Sequence, residues 1–213
     1  METKKISKSV LKRLPGYLAY LKGMGDNSPS HISATALANA LGMGEVQVRK
    51  DLAMVSDGGR PKIGYHRESL IDDIEQFLGY DNTTDAVLIG AGKLGQALMD
   101  YQGFGEYGLN ILAAFDVVPK TDKTEAGKPI YPMEKLESFC KKHKVLMGII
   151  TVPAEYAQEV ADRLIASGIK AIWSFASAYL EVPEGILVQY ENMATSLAVL
   201  SMHLQAQIKE EKK

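Results

Sequence analysis

Apolar residues recur at helical spacing over Lys8–Lys22, where Val10, Leu11, Leu14, Leu18 and Leu21 fall on one side and lysines elsewhere. Pro15 interrupts this run. An interior proline removes a backbone hydrogen bond, so a kink or a late helix start is expected there. Gly23–Ser30 has the composition of a loop. Ser33 then caps a short helix, Ala34–Leu41, and Leu41-Gly42-Met43-Gly44 forms a tight turn. A third helix follows over Glu45–Val55. Its Val48, Leu52 and Val55 make a core stripe that leaves Gln47, Arg49 and Lys50 pointing outward. Two short helices about a glycine turn, the second with a basic face, match a helix-turn-helix. The turn-rich segment Asp57–Tyr65 then reads as a β-hairpin wing, with Arg60 and Lys62 near its tip within reach of phosphates or a minor groove. Ser69–Leu78 is an amphipathic helix suited to connecting two modules.

From residue 85 onward, strands alternate with helices. Asp85–Gly90 is a buried strand, followed by a helix to about Tyr101; Ile111–Asp116, Val145–Thr151 and Ala171–Phe175 are further strands, with Leu187–Tyr190 a candidate for another. Ala154–Ser167 is helical. Such alternation with short connections implies a parallel sheet covered on both faces. A last helix, about Ala194–Glu211, carries Leu197, Leu200, Leu204 and Ile208 along one side, and its closing Lys-Glu-Glu-Lys-Lys is expected to fray. The expected fold class is therefore α/β, a winged helix over 1–80 followed by a Rossmann-type parallel-sheet domain over 81–192 and a C-terminal helix over 193–213.

Charge sharpens this division. The chain of 213 residues has a formal net charge of −2, but residues 1–62 hold ten Lys/Arg against five acids, +5, and the rest holds fourteen against twenty-one, −7. A basic N-terminal third on an acidic body points that third alone at a polyanion. No apolar run approaches the roughly 20 residues of a membrane span, and no apolar segment follows the charged N-terminus as a secretory signal would require. The lone cysteine, Cys140, excludes an intrachain disulfide and fits a reducing cytoplasm. Cys140 is read as a surface thiol at a helix end, with Lys141 and Lys142 beside it. Its spacing to the four histidines, His31, His66, His143 and His203, matches no metal site.

The candidate chemistry lies in Gly90-Ala91-Gly92-Lys93-Leu94-Gly95, a glycine turn between a strand and a helix. Gly90 permits the tight turn, Gly92 lets backbone approach a pyrophosphate, Gly95 allows close helix–strand packing, and the helix N-terminus offers free N–H groups. Lys93 adds a cation. Asp116 ends the second strand 21 residues after Gly95, where an acid binds adenine-ribose hydroxyls and repels a 2′-phosphate, favouring NAD(H) over NADP(H). Val117 and Val118 offer apolar surface to adenine, and Thr151-Val152-Pro153 walls the pocket at the carboxyl edge of the sheet. Tyr101, Phe104 and Tyr107 cluster after the first Rossmann helix, where they could meet a nicotinamide. Another nucleotide-like ligand, such as coenzyme A, remains an alternative. So does a small NAD-dependent oxidoreductase, although no histidine stands at an expected strand end and too little chain follows to build a substrate domain.

Taken in order, Gln47-Val48-Arg49-Lys50-Asp51-Leu52, the glycine-rich wing ending Gly64-Tyr65, the glycine turn, Tyr101-Gln102-Gly103-Phe104-Gly105, Phe115-Asp116, Thr151-Val152-Pro153-Ala154 and Gly168-Ile169-Lys170-Ala171-Ile172 resemble the redox-sensing transcriptional repressor family Rex. The resemblance runs from about Ser7 to His203. It implies no enzyme but a bacterial homodimer that senses NADH against NAD⁺ and binds pseudo-palindromic operator DNA, with NADH releasing the operator. It implies a C-terminal helix exchanged between protomers, recognition-helix cations at Arg49 and Lys50, a wing cation at Lys62 and a switching tyrosine at Tyr101. The chain departs from the pattern in two respects. Ala19 and Asn192 stand where many members carry an arginine and an aspartate that pair in the switch, and Met54-Val55-Ser56-Asp57 replaces an aromatic-glycine segment.

Overall fold

The computed structural model describes residues 7–25 and 27–211. The charges expected at Glu2, Lys4, Lys5 and Asp26, and the closing Lys212 and Lys213, lie outside the described residues. The chain forms two compact units, residues 1–82 with 106–108 and residues 83–105 with 109–213.

The first unit is a winged helix. Helix α1 (Lys8–Gly23) is capped by the Ser7 side chain and runs unbroken through Pro15. Burial explains that continuity: Val10, Leu14, Tyr17, Leu18 and Leu21 are all 4% exposed or less, and such a face outweighs the roughly 3 kcal/mol cost of an interior proline. Leu11, expected on the core side, is instead 40% exposed, and Tyr17 takes the central place. Strand β1 (His31–Ile32) leads to α2 (Ala34–Leu41), which Ser33 caps and Gly42 closes at φ 63°. The third helix, α3 (Glu45–Val55), packs Val48 and Leu52 inward and leaves Gln47, Arg49 and Lys50 exposed. Strand β2 (Tyr65–His66) pairs antiparallel with β1, and α4 (Arg67–Leu78) follows. Between α3 and β2 the wing is a minimal hairpin in which Arg60 and Gly64 exchange both backbone hydrogen bonds at 2.9 Å. Gly64 must be glycine: its φ is 91°, and a Cβ there would strike the Ile32 carbonyl.

The second unit is a six-stranded, all-parallel sheet. In chain order its elements are β3 (Thr84–Ile89), α5 (Lys93–Asp100), β4 (Leu109–Asp116), β5 (Ile130–Pro132), α6 (Leu136–His143), β6 (Met147–Ile150), α7 (Ala157–Ala166), β7 (Ala171–Ser174), β8 (Leu187–Tyr190) and α8 (Met193–Glu211). The strand order is β5-β4-β3-β6-β7-β8, the doubly wound Rossmann arrangement with its reversal between β3 and β6. Successive residues of β3 serve opposite faces. Ala86 and Leu88 pack with Met99 of α5, whereas Val87 and Ile89 join the cluster built by α6 and α7.

Cys140 belongs to that second cluster at 1% exposure, which corrects its reading as a surface thiol. It sits on the inward side of α6, where burial raises the thiol pKa to about 11 and the neighbouring lysines do not lower it. No helix among the described residues is long and apolar enough to cross a membrane, and none of their side chains cluster as a metal site.

Candidate functional site

The sheet's reversal point opens a cleft of about 460 Å³ at the carboxyl ends of β3 and β6. Gly90, Gly92, Asp116, Val117, Thr151, Val152 and Pro153 all line it. Three constraints shape the turn. Gly90 has φ 102°, and a Cβ there would come within 2.9 Å of Val152 Cγ1. A Cβ on Gly95 would collide with the Gly90 carbonyl oxygen and come within 2.9 Å of Leu88 Cδ2. Gly92, by contrast, has open space where its Cβ would be. It caps α5 without a side-chain hydrogen bond, so the first amides of the helix have no such partner. The Thr151 hydroxyl donates to the Ile89 and Gly90 carbonyls at 3.0 and 2.8 Å, tying the turn to the end of β6.

Asp116 is fixed by backbone. Its Oδ2 accepts from the Ala91 amide at 2.8 Å and its Oδ1 from the Val118 amide at 3.0 Å. On its other side Ala91, Lys93, Val118 and Lys120 border a second hollow of about 330 Å³. Val117 and Val118, about three-quarters exposed, thus serve different hollows. Leu94 is exposed and lines neither. The expected aromatic cluster does not form as one group: Tyr101 packs edge-on against Phe104, whereas Tyr107 packs against Tyr80 in the first unit. Tyr101 lies against a separate hollow with Phe104 and Lys128. Arg163 was not foreseen. It reaches the main cleft from α7 while donating to the Met133 carbonyl at 3.0 Å.

In the winged helix, the exposed row of α3 is partly engaged. The Arg49 guanidinium is paired with Glu45, one turn earlier. Lys50 is exposed, and Lys62 sits at the wing tip with φ 65°. Asp51 was missed as a structural residue: it is 3% exposed and accepts from Arg13 Nε and Nη2 at 2.7 and 2.8 Å and from the Tyr17 hydroxyl at 2.8 Å. The carboxylate's hydrogen bond pushes the Arg13 pKa up, and burial, followed by the bond to Asp51, raises that of Tyr17 to about 12. Both acid and base stand on the apolar stripes of their helices, Asp51 between Val48 and Leu52, Arg13 between Val10 and Leu14. A charge at a core-facing position was the available signal.

Known proteins align along almost the full chain. Residues 5–53 match a family described as putative DNA-binding protein N-terminus, and residues 81–178 match the CoA binding domain family. The redox-sensing transcriptional repressor Rex of Treponema denticola is 42% identical over 197 residues, covering 90% of this chain and 92% of the relative. The Rex protein of Carboxydothermus hydrogenoformans is 38% identical over 205 residues, covering 94% and 97%. This chain belongs to the Rex family of redox-sensing transcriptional repressors.

Solved Rex structures agree. The crystal structure of RSP in complex with β-NAD⁺ and operator DNA superposes with a TM-score of 0.88 at 33% identity, covering 99% of this chain and 97% of that one. RSP in complex with β-NADH gives 0.84 at 32% identity, covering 99% and 100%. Within this Rex chain the two departing positions have ordinary local roles. Ala19 lies exposed on α1, and the Asn192 side-chain carbonyl accepts from the Thr195 amide at 3.2 Å as a helix cap.

Proposed function

We propose that this Rex chain is a cytoplasmic, homodimeric repressor that binds a pseudo-palindromic operator and senses the NADH/NAD⁺ ratio, with NADH releasing the DNA. The observation that carries this reading is the cleft at the sheet's reversal point, where amides without a side-chain cap and a fixed carboxylate face one ligand from two ends. Gly90, Ala91, Gly92, Lys93, Leu94 and Gly95 form the pyrophosphate turn, Asp116 and Val117 take the adenosine end, and Thr151, Val152 and Pro153 wall the cleft. Tyr101 meets the nicotinamide during switching. Residues 81–192 bind the nucleotide, while residues 1–80 bind DNA through Gln47, Arg49 and Lys50 in the major groove and Arg60 and Lys62 on the wing. Residues 193–213 hold the dimer together. The exposed row Leu197, Leu200, Leu204 and Ile208, each 41% exposed or more, supports burial of α8 against a second copy. No catalysis is required: the protein binds NADH without consuming it.

Linkage fixes the energetics. For NADH to weaken operator binding about a hundredfold it must prefer the DNA-incompatible state by roughly 2.7 kcal/mol, and DNA must weaken NADH binding by the same factor. A retardation titration with NADH, NAD⁺, NADPH, NADP⁺ and coenzyme A tests this. NADH alone should release the operator, and Asp116→Ala should erase the preference for NADH over NADPH. Equal operator affinity with and without saturating NADH would remove the sensor. The match of residues 81–178 to a CoA binding domain favours a second reading, coenzyme A as the sensed ligand. Release by coenzyme A at lower concentration than NADH would establish it.

A further inference from the structure

Helix α3 turns by roughly 100° per residue, which fixes how its side chains fan out about the axis. Val48, Asp51 and Leu52 are its buried residues, and Val46 points roughly 165° away from the middle of that face, with Lys50 next to it one turn further on. Glu45 and Arg49, which pair, lie on one flank of Val46 and Gln47 on the other. Val46 is 64% exposed and belongs neither to the buried core of the first unit nor to the residues packed against it. Valine is also a poorer helix former than alanine, because its branched side chain is restricted in a helix. Within the unit, therefore, this side chain stabilises nothing. It stands in the first turn, directly after Gly44 and Glu45, whereas Met54, the other large apolar residue exposed on α3, stands in the last.

We propose that Val46 is a specificity-determining residue that reads the methyl group of one thymine in each operator half-site. This rests on the reading that α3 enters the major groove, where the N-terminal residues of a recognition helix meet base edges. Valine has neither donor nor acceptor, so it distinguishes bases only by apolar contact. The only methyl group on the major-groove edges of the four bases is that of thymine. Every hydrogen-bonding group on those edges would be stripped of water by valine without gaining a bond in return. The same side chain thus favours thymine, by burying two apolar surfaces together, and disfavours cytosine, whose amino group it cannot satisfy.

The test uses an operator selected from random duplexes by the full-length protein, then rebuilt with deoxyuridine in place of thymine at one position at a time. Deoxyuridine lacks only the methyl group, so pairing and every hydrogen-bonding group stay as they were. One thymine per half-site should answer to residue 46. Wild type should bind its deoxyuridine form about fourfold more weakly, the factor that burying one methyl-sized group corresponds to. Val46→Ser should bind the thymine and deoxyuridine forms of that site equally. Val46→Thr, which differs from the serine variant by a single methyl group, should recover the difference. Both substitutions fall on an exposed helix face, and thermal unfolding at the wild-type temperature should show that the fold is kept. A wild type indifferent to deoxyuridine at every position overturns the proposal. So does a thymine preference that survives Val46→Ser at every position, or one that does not return in Val46→Thr. A wild type that selects no sequence from the random pool would instead strike down the repressor reading beneath it.

Discussion

Two glycines three residues apart should fail in opposite ways when each gains a methyl group. At Gly92 the backbone has φ −72°, which alanine adopts, and the built Cβ meets nothing within 4 Å. Alanine is a poorer helix cap than glycine, a loss of up to about 1 kcal/mol. It also restricts the unfolded chain, a gain of about 0.4–1 kcal/mol, so the net change in stability is close to zero. The new methyl group, however, stands where a pyrophosphate would approach the amides of α5. Losing one or two charge-assisted hydrogen bonds at about 1.5–3 kcal/mol should weaken NADH binding tenfold or more. At Gly95 the Cβ would overlap the Gly90 carbonyl oxygen, which no side-chain rotation can move, and would press on Leu88 and Thr151. Overpacking of this kind costs about 1–3 kcal/mol, here towards the upper end because backbone must shift. For a chain of this size about 2–3 kcal/mol lowers the melting temperature by roughly 4–12 °C. Thermal unfolding without nucleotide and calorimetric titration with NADH separate the two effects. A Gly95→Ala protein melting with wild type, or a Gly92→Ala protein binding NADH with undiminished affinity, would refute the reasoning.

Arg49→Ala should cut discrimination between operator and random DNA, whereas Lys62→Ala should weaken both alike and lower the salt slope by about one, as measured by competition binding over a salt series. Equal loss of discrimination in both variants would contradict the assigned roles. Cys140 should resist thiol reagents in the folded protein and react only on unfolding, because burial raises its pKa from 9.0 to about 11. The unfolded chain then releases this proton first, so the contribution to stability is intact below about pH 9 and declines as pH rises towards 11. Urea unfolding from pH 8 to 11 should show this decline in wild type and a smaller one in Cys140→Ala. Fast labelling of the folded protein would show that α6 opens.

What the sequence revealed depended on whether a residue's role was local. The boundaries of α2 and α3 follow from Ser33, Gly42 and Gly44, whose effects act within one turn of chain, and both helices fall where those residues place them. The glycine turn was legible for the same reason, since strand, turn and helix are contiguous. Asp116 could be placed at the carboxyl end of β4 because strand spacing in this architecture is regular. Roles that depend on distant partners were not legible. The Asp51 bond to Arg13 spans 38 residues, and α1 runs through Pro15 because of the core that α1 joins. Three-residue β5 was too short for periodicity to separate from loop, and α6, at eight residues, was too short for periodicity to show that Cys140 lies on its inward face, not at a surface helix end. Tyr101 and Tyr107 are close in sequence yet face different neighbours, because the short 3₁₀ segment between them turns the chain.

The bond from the Ala91 amide to Asp116 joins the two ends of the proposed nucleotide site through a single contact. Ala91 is the second residue of the glycine turn, and Asp116 is the carboxylate assigned to the ribose. Each carboxylate oxygen can accept more than one hydrogen bond, so Asp116 retains capacity for ribose hydroxyls while both its oxygens are held by backbone. Its rotamer is therefore set before the ligand arrives, and ordering it costs binding little further entropy. The same contact means that a shift of the turn must move the carboxylate. Substitution at Asp116 should accordingly do more than alter selectivity at the sugar. It leaves the Ala91 amide without its partner and loosens the turn proposed to hold the pyrophosphate, so even a ligand lacking the ribose hydroxyls, such as inorganic pyrophosphate, should bind more weakly to Asp116→Ala than to wild type. Unchanged pyrophosphate binding would show that the turn keeps its shape without that tether.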